Sequence, residues 1–352
     1  MQPHYTFSSF RPEHLSSMAK LRVDEYGGQA AEHYKWLEWL MCRNPAGTGE
    51  ASLAFLPDGS LVGMSVNAAL PMVFKNERFN ARMNVSALVK RDQRGGHLFI
   101  RQLKMVCEDS LAGKARVVIG FPNASAMLGT LIVGHKVAGA VYSANRPLFL
   151  LSWISNRVAL PSPVRAKWLD NLVSEVILKT ARSPYCTRLE SLEDVRFEPE
   201  IDPSRLTIYA DTEWLDWRYL HSPYQYAILA VGNPKQPDAL AIVRTASNKT
   251  VDGREVLHGY LMDVIRSSGA PSNADIEAAR AGVAWLRERR CHSVKSAFVR
   301  GTQYEAVLSK VGFWTKRSPE LQPSIFMRAA PDHRIPRRID RYAITYSWTD
   351  WL

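Results

Sequence analysis

The chain has 352 residues, 46% of them hydrophobic and 22% charged, with a formal net charge of +11. That is an ordinary globular composition, long enough for two domains with sizeable cores. Four scattered cysteines, Cys42, Cys107, Cys186 and Cys291, form no Cys-x-x-Cys pair, which argues against a zinc site and against a disulfide framework.

The N-terminal stretch MQPHYTFSSF has no basic segment leading into an apolar run, so no signal peptide is expected. Pro147 to Ile154 is too short to span a bilayer, and Val117 to Val141 is interrupted by Pro122, Asn123, His135 and Lys136. A soluble, cytoplasmic protein is expected. The positive charge is spread out. Only Arg328 to Arg341 is dense, and it lacks the interleaved aromatics of a nucleic-acid platform. A basic surface that attracts a polyanionic cofactor or substrate is the favoured reading, with nucleic acid disfavoured.

In chain order, Tyr5 to Phe10 reads as an edge strand and Pro12 to Tyr26 as an amphipathic helix with Leu15, Met18, Leu21 and Val23 inward. Glu32 to Arg43 is a second helix, carrying Tyr34, Trp36, Leu37, Trp39 and Leu40. It stops at Asn44-Pro45, since the residue before proline resists the helical conformation. Ser52 to Leu56 and Leu61 to Ala69 flank Pro57-Asp58-Gly59-Ser60, a hairpin turn, and Met72 to Phe79 is read as a third strand with a turn at Lys75-Asn76-Glu77.

The next stretch organises the first half. Asn84 and then Val85 to Val89 form a buried strand, followed by a charged turn ending in Arg94-Gly95-Gly96. From Leu98, apolar residues recur at Phe99, Leu103, Val106 and Leu111 with helical spacing. A helix opening on a glycine turn presents free N–H groups and its positive dipole end to an anion such as a phosphate. Arg91, Arg94 and His97 can add donors there. Arg116 to Phe121 is another buried strand, broken at Pro122-Asn123, and Ser125 to Val133 is a short helix closed by Gly134. Residues 1–145 therefore run β, α, α, β, β, β, α, β, α.

Residues 146–205 are punctuated by proline around one helix, Val164 to Thr180, and read as a connector. Residues 206–330 then repeat the order. An aromatic helix, Thr212 to Leu220, ends at His221-Ser222-Pro223 and echoes the one ending at Asn44-Pro45. Strands follow at Tyr226 to Gly232, Ala239 to Thr245 and Val256 to Ile265, then a helix (Ala274 to Arg290), a strand (Ser293 to Val299) and a helix closed by Gly312-Phe313. Ser267-Ser268-Gly269-Ala270-Pro271 replaces the glycine turn. Residues 331–352 read as a basic tail.

The glycine turn and what surrounds it resemble the GNAT superfamily of acyl-CoA-dependent N-acyltransferases, in particular its tandem two-domain bacterial members. Arg94-Gly95-Gly96-His97-Leu98-Phe99 is similar to that family's cofactor turn, with His97 standing where glycine is expected and Phe99 where glycine or alanine is expected. Gly120-Phe121-Pro122-Asn123 with Ser125 resembles the end of its fifth strand, and Gly134 its helix-closing glycine. The resemblance implies an α/β (α+β) fold of two tandem GNAT-like domains, each a mixed, mostly antiparallel sheet flanked by helices, with the second domain having lost the cofactor.

It further implies acetyl-CoA or another acyl-CoA on Leu88, Val89, Arg94, Gly95, Gly96, His97, Leu98, Phe99 and Asn123. An acceptor amine, such as an amino sugar or amino acid, would sit near Tyr34, Asn44, Asn84 and Asp263. The family's usual acid, a tyrosine four residues before the closing glycine, is replaced by Thr130 and Leu308. Asn123, Ser125 and Ser86 remain as catalytic candidates, with Asn84, His97 and His135 beside them and Asp263 on the matching strand of the second domain, and no metal is implied. Two alternatives stand: a GNAT-fold binding or scaffold protein without turnover, and a Fem-type transferase that takes an aminoacyl group from tRNA.

Overall fold

A computed structural model describes residues 4–113, 115–149, 185–249, 255–316, 324–326, 335–336 and 338–348. The connector helix expected at 164–180 and much of the basic stretch 328–341 lie outside them. The first half contains β1 (Thr6–Ser9), α1 (Leu15–Tyr26), α2 (Ala30–Cys42), β2 (Glu50–Phe55), β3 (Leu61–Phe74), β4 (Glu77–Val89), α3 (Leu98–Ala112), β5 (Val118–Gly120) and α4 (Ala124–Val133), with β6 (Lys136–Val137) and β7 (Tyr142–Pro147) behind them. The expected element order holds through α4.

One local expectation is corrected. Met72 to Phe79 is the tip of a hairpin and contributes to two strands. Lys75 and Asn76 adopt φ of 51° and 62°, the left-handed pair that a tight two-residue hairpin turn requires, so the chain reverses there and Met72 pairs with Phe79. β4 is in consequence one continuous strand of 13 residues.

The second half contains β8 (Cys186–Leu189), β9 (Thr207–Ile208), α5 (Thr212–Leu215), β10 (Tyr226–Asn233), β11 (Gln236–Lys249), β12 (Glu255–Arg266), α6 (Ala274–Glu288), β13 (Ser293–Phe298), α7 (Gln303–Lys310), β14 (Trp314–Thr315) and β15 (Ser324–Phe326). α5 is capped by the Asp211 side chain, which accepts from the Trp214 N–H, and it widens into a π-helical turn over Asp216–Leu220.

Two sheets result, in the orders β1-β2-β3-β4-β5-β15-β6, with β9 on β3, and β14-β7-β13-β12-β11-β10-β8. Each is mostly antiparallel with one parallel pair, β4 with β5 and β12 with β13. The halves exchange strands. β7 leaves the first half to pair with β13 and β14, and β15 returns from the second half to lie between β5 and β6. The largest core is shared as well, since Leu37, Leu40 and Leu70 lie in one cluster with Trp214, Ile228, Met262, Tyr342 and Trp348. No helix among the described residues is long and apolar enough to cross a membrane.

Candidate functional site

In each sheet the parallel pair is short and its strands separate beyond it. β4 and β5 pair only from Arg82 with Val118 to Asn84 with Gly120, and β12 and β13 only at Gly259 with Val294 and Tyr260 with Lys295. Beside each opening the long strand carries a bulge. Val66 faces Ser86 and Asn67 faces Asn84, which leaves Val85 extra. Ile242 faces Asp263 and Val243 faces Leu261, which leaves Met262 extra. An unpaired residue kinks the strand and re-aims its neighbour. Ser86 and Asp263 are thus equivalent positions, each just past a bulge and at the mouth of an opening.

In the first half, Leu88 and Val89 are buried and carry β4 into the turn. Arg94 folds back, donating from Nε to the Val89 carbonyl at 2.8 Å and pairing with Glu25, so its guanidinium braces the turn. Gly95 has φ of 89°, and a Cβ on either Gly95 or Gly96 would meet no atom within 4 Å. His97 is exposed, occupies the N-cap of α3 and makes no capping bond with its side chain. The helical ladder starts with Arg101 N–H to the His97 carbonyl, so the N–H groups of Leu98, Phe99 and Ile100 lie ahead of it. An open glycine turn leading to helix N–H groups suits an anion such as a phosphate. Leu98 is buried beside Val89. The Phe99 ring turns toward α4, where a Cβ on Gly129 would lie 2.6 Å from it.

Asn123 caps α4 by accepting from the Ala126 N–H at 2.9 Å, and Ser125 donates to the same Asn123 oxygen at 2.8 Å. Ser86 is buried and accepts from Arg22 Nη1 at 3.3 Å. Arg22, on α1, is the feature the sequence did not reveal. It is buried, its Nε donates to His33 Nδ1, and its guanidinium lies 4.0 Å from the centre of the Trp36 ring. Burial lowers its pKa. Because His33 accepts at Nδ1, its Nε2 carries the proton toward the Gly27 carbonyl, 2.8 Å away. The Trp36 indole N–H beside Arg22 is buried and has no hydrogen-bond partner among the described residues. A lone arginine in an amphipathic helix carries no signal of this role.

The other expected residues are dispersed. Asn44 is buried and bonds the Ala69 carbonyl and the Ala46 N–H, Asn84 bonds Asn67, Val66 and Ser65 across β3, and Tyr34 lies exposed on α2. His135 is buried, 3.4 Å from Cys107, and desolvation lowers its pKa to about 4, which keeps it neutral. Among the described residues no group of three His, Cys, Asp or Glu side chains is placed to hold a metal.

The second opening is built differently. Residues 198–200 run along the end of β12, with Glu200 N–H donating to the Arg266 carbonyl and Ser268 N–H to the Glu198 carbonyl. Ser267 N–H points the other way, to Asp238 at the start of β11, so residues 198–200 lie on the β13 side, inside the opening. Thr345 bridges to Phe298 at the end of β13, and Leu206 and Tyr342 join the two inserted segments. Between them remains a cavity of about 420 Å³, lined by Trp214, Tyr219, Asp263, Tyr304 and Ser347 among others.

No protein-family model matches the sequence, and no curated protein matches it. Solved structures do. A probable N-acyltransferase from Enterococcus faecalis superposes with a TM-score of 0.59 at 13% identity, covering 92% of this chain and 73% of its own. A GCN5-related N-acetyltransferase from Anabaena variabilis gives 0.56 at 11% identity over 92% and 73%. The N-myristoyltransferase of Saccharomyces cerevisiae, with bound myristoyl-CoA, gives 0.58 at 11% identity over 96% and 84%. The chain has the GNAT fold, present here as two copies in tandem with exchanged strands.

Proposed function

We propose that the protein is an acyl-CoA-dependent N-acyltransferase, with acetyl as the transferred group and the amine of a small molecule, such as an amino sugar or amino acid, as acceptor. The observation that carries this reading is the contrast between the two openings. The first keeps an open glycine turn at the N-terminus of α3, whereas the second is filled by residues 198–200 and 342–348. Cofactor binding therefore belongs to the first half, with the backbone of Gly95 to Ile100 toward the diphosphate and Leu88 and Val89 along the arm.

When bound, acyl-CoA supplies an activated thioester carbonyl. Ser86, held by Arg22 just past the bulge, lies at the opening where an acceptor amine would approach, and Asn123 and Ser125 stand at the α4 N-terminus beyond β5. Positioning, with water as the proton carrier, is the main contribution asked of these residues. Cytoplasmic residence is supported by the free thiols of all four cysteines. The test is a CoA-release assay with acetyl-CoA and a panel of amino sugars and amino acids. Thiol release that needs an amine, and that falls at least tenfold in Ser86→Ala or Arg22→Met, is expected; amine-independent release alone, or none, defeats the proposal.

A further inference from the structure

The cavity of the second half is a built site that the acyl-transfer reading leaves unused. Its lining arginines are all engaged, and Asp263 and Asp275 are the two lining carboxylates that form no ion pair among the described residues. Arg205 holds Asp202 and the carbonyls of Asp340 and Gly301. Arg266 pairs with Glu200 and donates to the Ser272 carbonyl. Asp275 accepts from Gln303 Nε2 at 2.7 Å. Arg218 is buried among aromatic rings and donates to the Tyr226 hydroxyl and the Ser347 carbonyl.

Asp275 lies within the field of the Arg266 charge, whereas no cation among the described residues acts on Asp263 in this way. Asp263 accepts from the Ser347 hydroxyl at 3.1 Å and the Val264 N–H at 2.9 Å, and among the described residues no cation forms an ion pair with it. Aromatic residues surround it: Tyr219 from the π-helical turn, Tyr304 from α7, and Trp214 and Trp348 in the cavity lining. A carboxylate short of a counter-charge in an aromatic-walled cavity is the environment that an ammonium group completes, through the ion pair and through the ring faces.

The site is distant from the proposed transfer point. One edge of the cavity is lined by Ile208, which pairs with Met72 opposite Phe79, whereas Ser86 lies further along the same strand, beyond the bulge. That edge and Ser86 are separated by roughly 20 Å at about 3.3 Å per residue.

We propose that this cavity binds a small molecule carrying a primary ammonium group, docked on Asp263 between Tyr219, Tyr304 and Trp214, as a site separate from acyl transfer. The second proposal rests on the first half being the acyl-CoA half. Tyr219 from the α5 side and Tyr304 from α7 lie within electrostatic reach of Asp263, the hydroxyls of Ser347 and Thr345 hydrogen-bond it, and Arg218, Arg266 and Asp275 also line the cavity. Desolvation raises the Asp263 pKa to about 6, so binding weakens as pH falls from 7 to 5.

The test titrates the full chain with two matched pairs, tyramine against 4-ethylphenol and cyclohexylmethylamine against cyclohexylmethanol, by calorimetry and saturation-transfer NMR. Each amine should bind about tenfold tighter than its neutral partner, and Asp263→Asn should remove that margin while acetyl-CoA binding, measured on the same samples, stays unchanged. Equal binding of the neutral partners, an unaffected Asp263→Asn variant, or no amine binding at millimolar concentration overturns the proposal. Should Asp263→Asn fail to fold, Gln303→Trp obstructs the cavity from its exposed rim; amine binding lost there supports the site, and amine binding retained overturns it. Loss of acetyl-CoA binding in the parent protein would strike the acyl-transfer reading alone, since the amine comparison does not use the cofactor.

Discussion

Trp39 and Trp217 stack with ring centroids 4.6 Å apart, and each indole N–H donates to the other's backbone carbonyl, at 3.0 and 3.2 Å. They are also each other's counterparts in the internal repeat, Trp36-Leu37-Glu38-Trp39 before Pro45 and Trp214-Leu215-Asp216-Trp217 before Pro223 at the same spacing. Even the side-chain contacts repeat, Glu38 with Arg43 and Asp216 with the His221 ring, each five residues apart. A residue that meets its own repeat reciprocally marks the local two-fold relation between the halves. Trp39→Phe keeps much of the ring area but removes the hydrogen bond from its indole N–H to the Trp217 carbonyl, and should cost about 1–3 kcal/mol. Trp39→Ala should cost about 3–5 kcal/mol. Denaturant unfolding checks both, and the Trp39→Phe/Trp217→Phe double variant should lose less than the sum of its singles because the pair is coupled.

The exchanged strands make the halves interdependent. Coexpressed fragments 1–205 and 206–352 should copurify, whereas either alone should be insoluble, because β7 and β15 complete each other's sheets and leave open edges when unpaired. Solubility of the separate fragments after affinity purification is the readout.

Two buried groups oppose each other in acid. His135 has its pKa lowered to about 4 by desolvation, so the unfolded chain binds its proton first, and this stability is full above the ordinary histidine value and lost as pH falls toward 4. Asp263 has its pKa raised to about 6 by desolvation, so the folded chain holds the proton longer and stability is gained as pH falls through 6. Over roughly pH 4–6 the two terms cancel, at about 1.4 kcal/mol per proton per pH unit each. Asp263→Asn should therefore steepen the acid loss of stability, and His135→Gln should reverse its sign. Urea midpoints measured from pH 4 to 7 follow both.

Phe99 and Gly129 fit only as a pair. Gly129→Ala puts a methyl 2.6 Å from the Phe99 ring and should cost about 1–3 kcal/mol by overpacking. Combining it with Phe99→Leu should recover part of that loss in thermal unfolding, since the smaller side chain vacates the contact.

The order of elements was legible because it rests on local signals: period-3.6 apolar faces on α3 and α6, proline stops at Pro45 and Pro223, and glycine closures at Gly134 and Gly312. Two features of the fold were not legible. Strand exchange is a long-range pairing that leaves β7 and β15 looking like any terminal strands. Residues 342–348 lie in a segment read as a basic tail, yet Tyr342, Ile344 and Trp348 are buried in the shared core, and a short aromatic run between charges has no periodicity to show it. Of the candidate site, the glycine turn was legible from its place between an apolar run and a helical period, while Arg22 and the filling of the second opening required the register of β4 and β12. Asp263 was named from its strand, and its equivalence to Ser86 emerged only from the two bulges.

The central claim, that the first half alone takes acyl-CoA, is tested most directly by calorimetric titration of the full chain with acetyl-CoA, repeated on Gly96→Glu and Gln303→Trp. A glutamate at the open turn places a negative charge against the diphosphate without a steric clash, whereas the tryptophan obstructs only the second cavity. Micromolar binding, abolished by Gly96→Glu and untouched by Gln303→Trp, is the predicted result. Binding that survives Gly96→Glu and disappears in Gln303→Trp would place the cofactor in the second half and contradict the account.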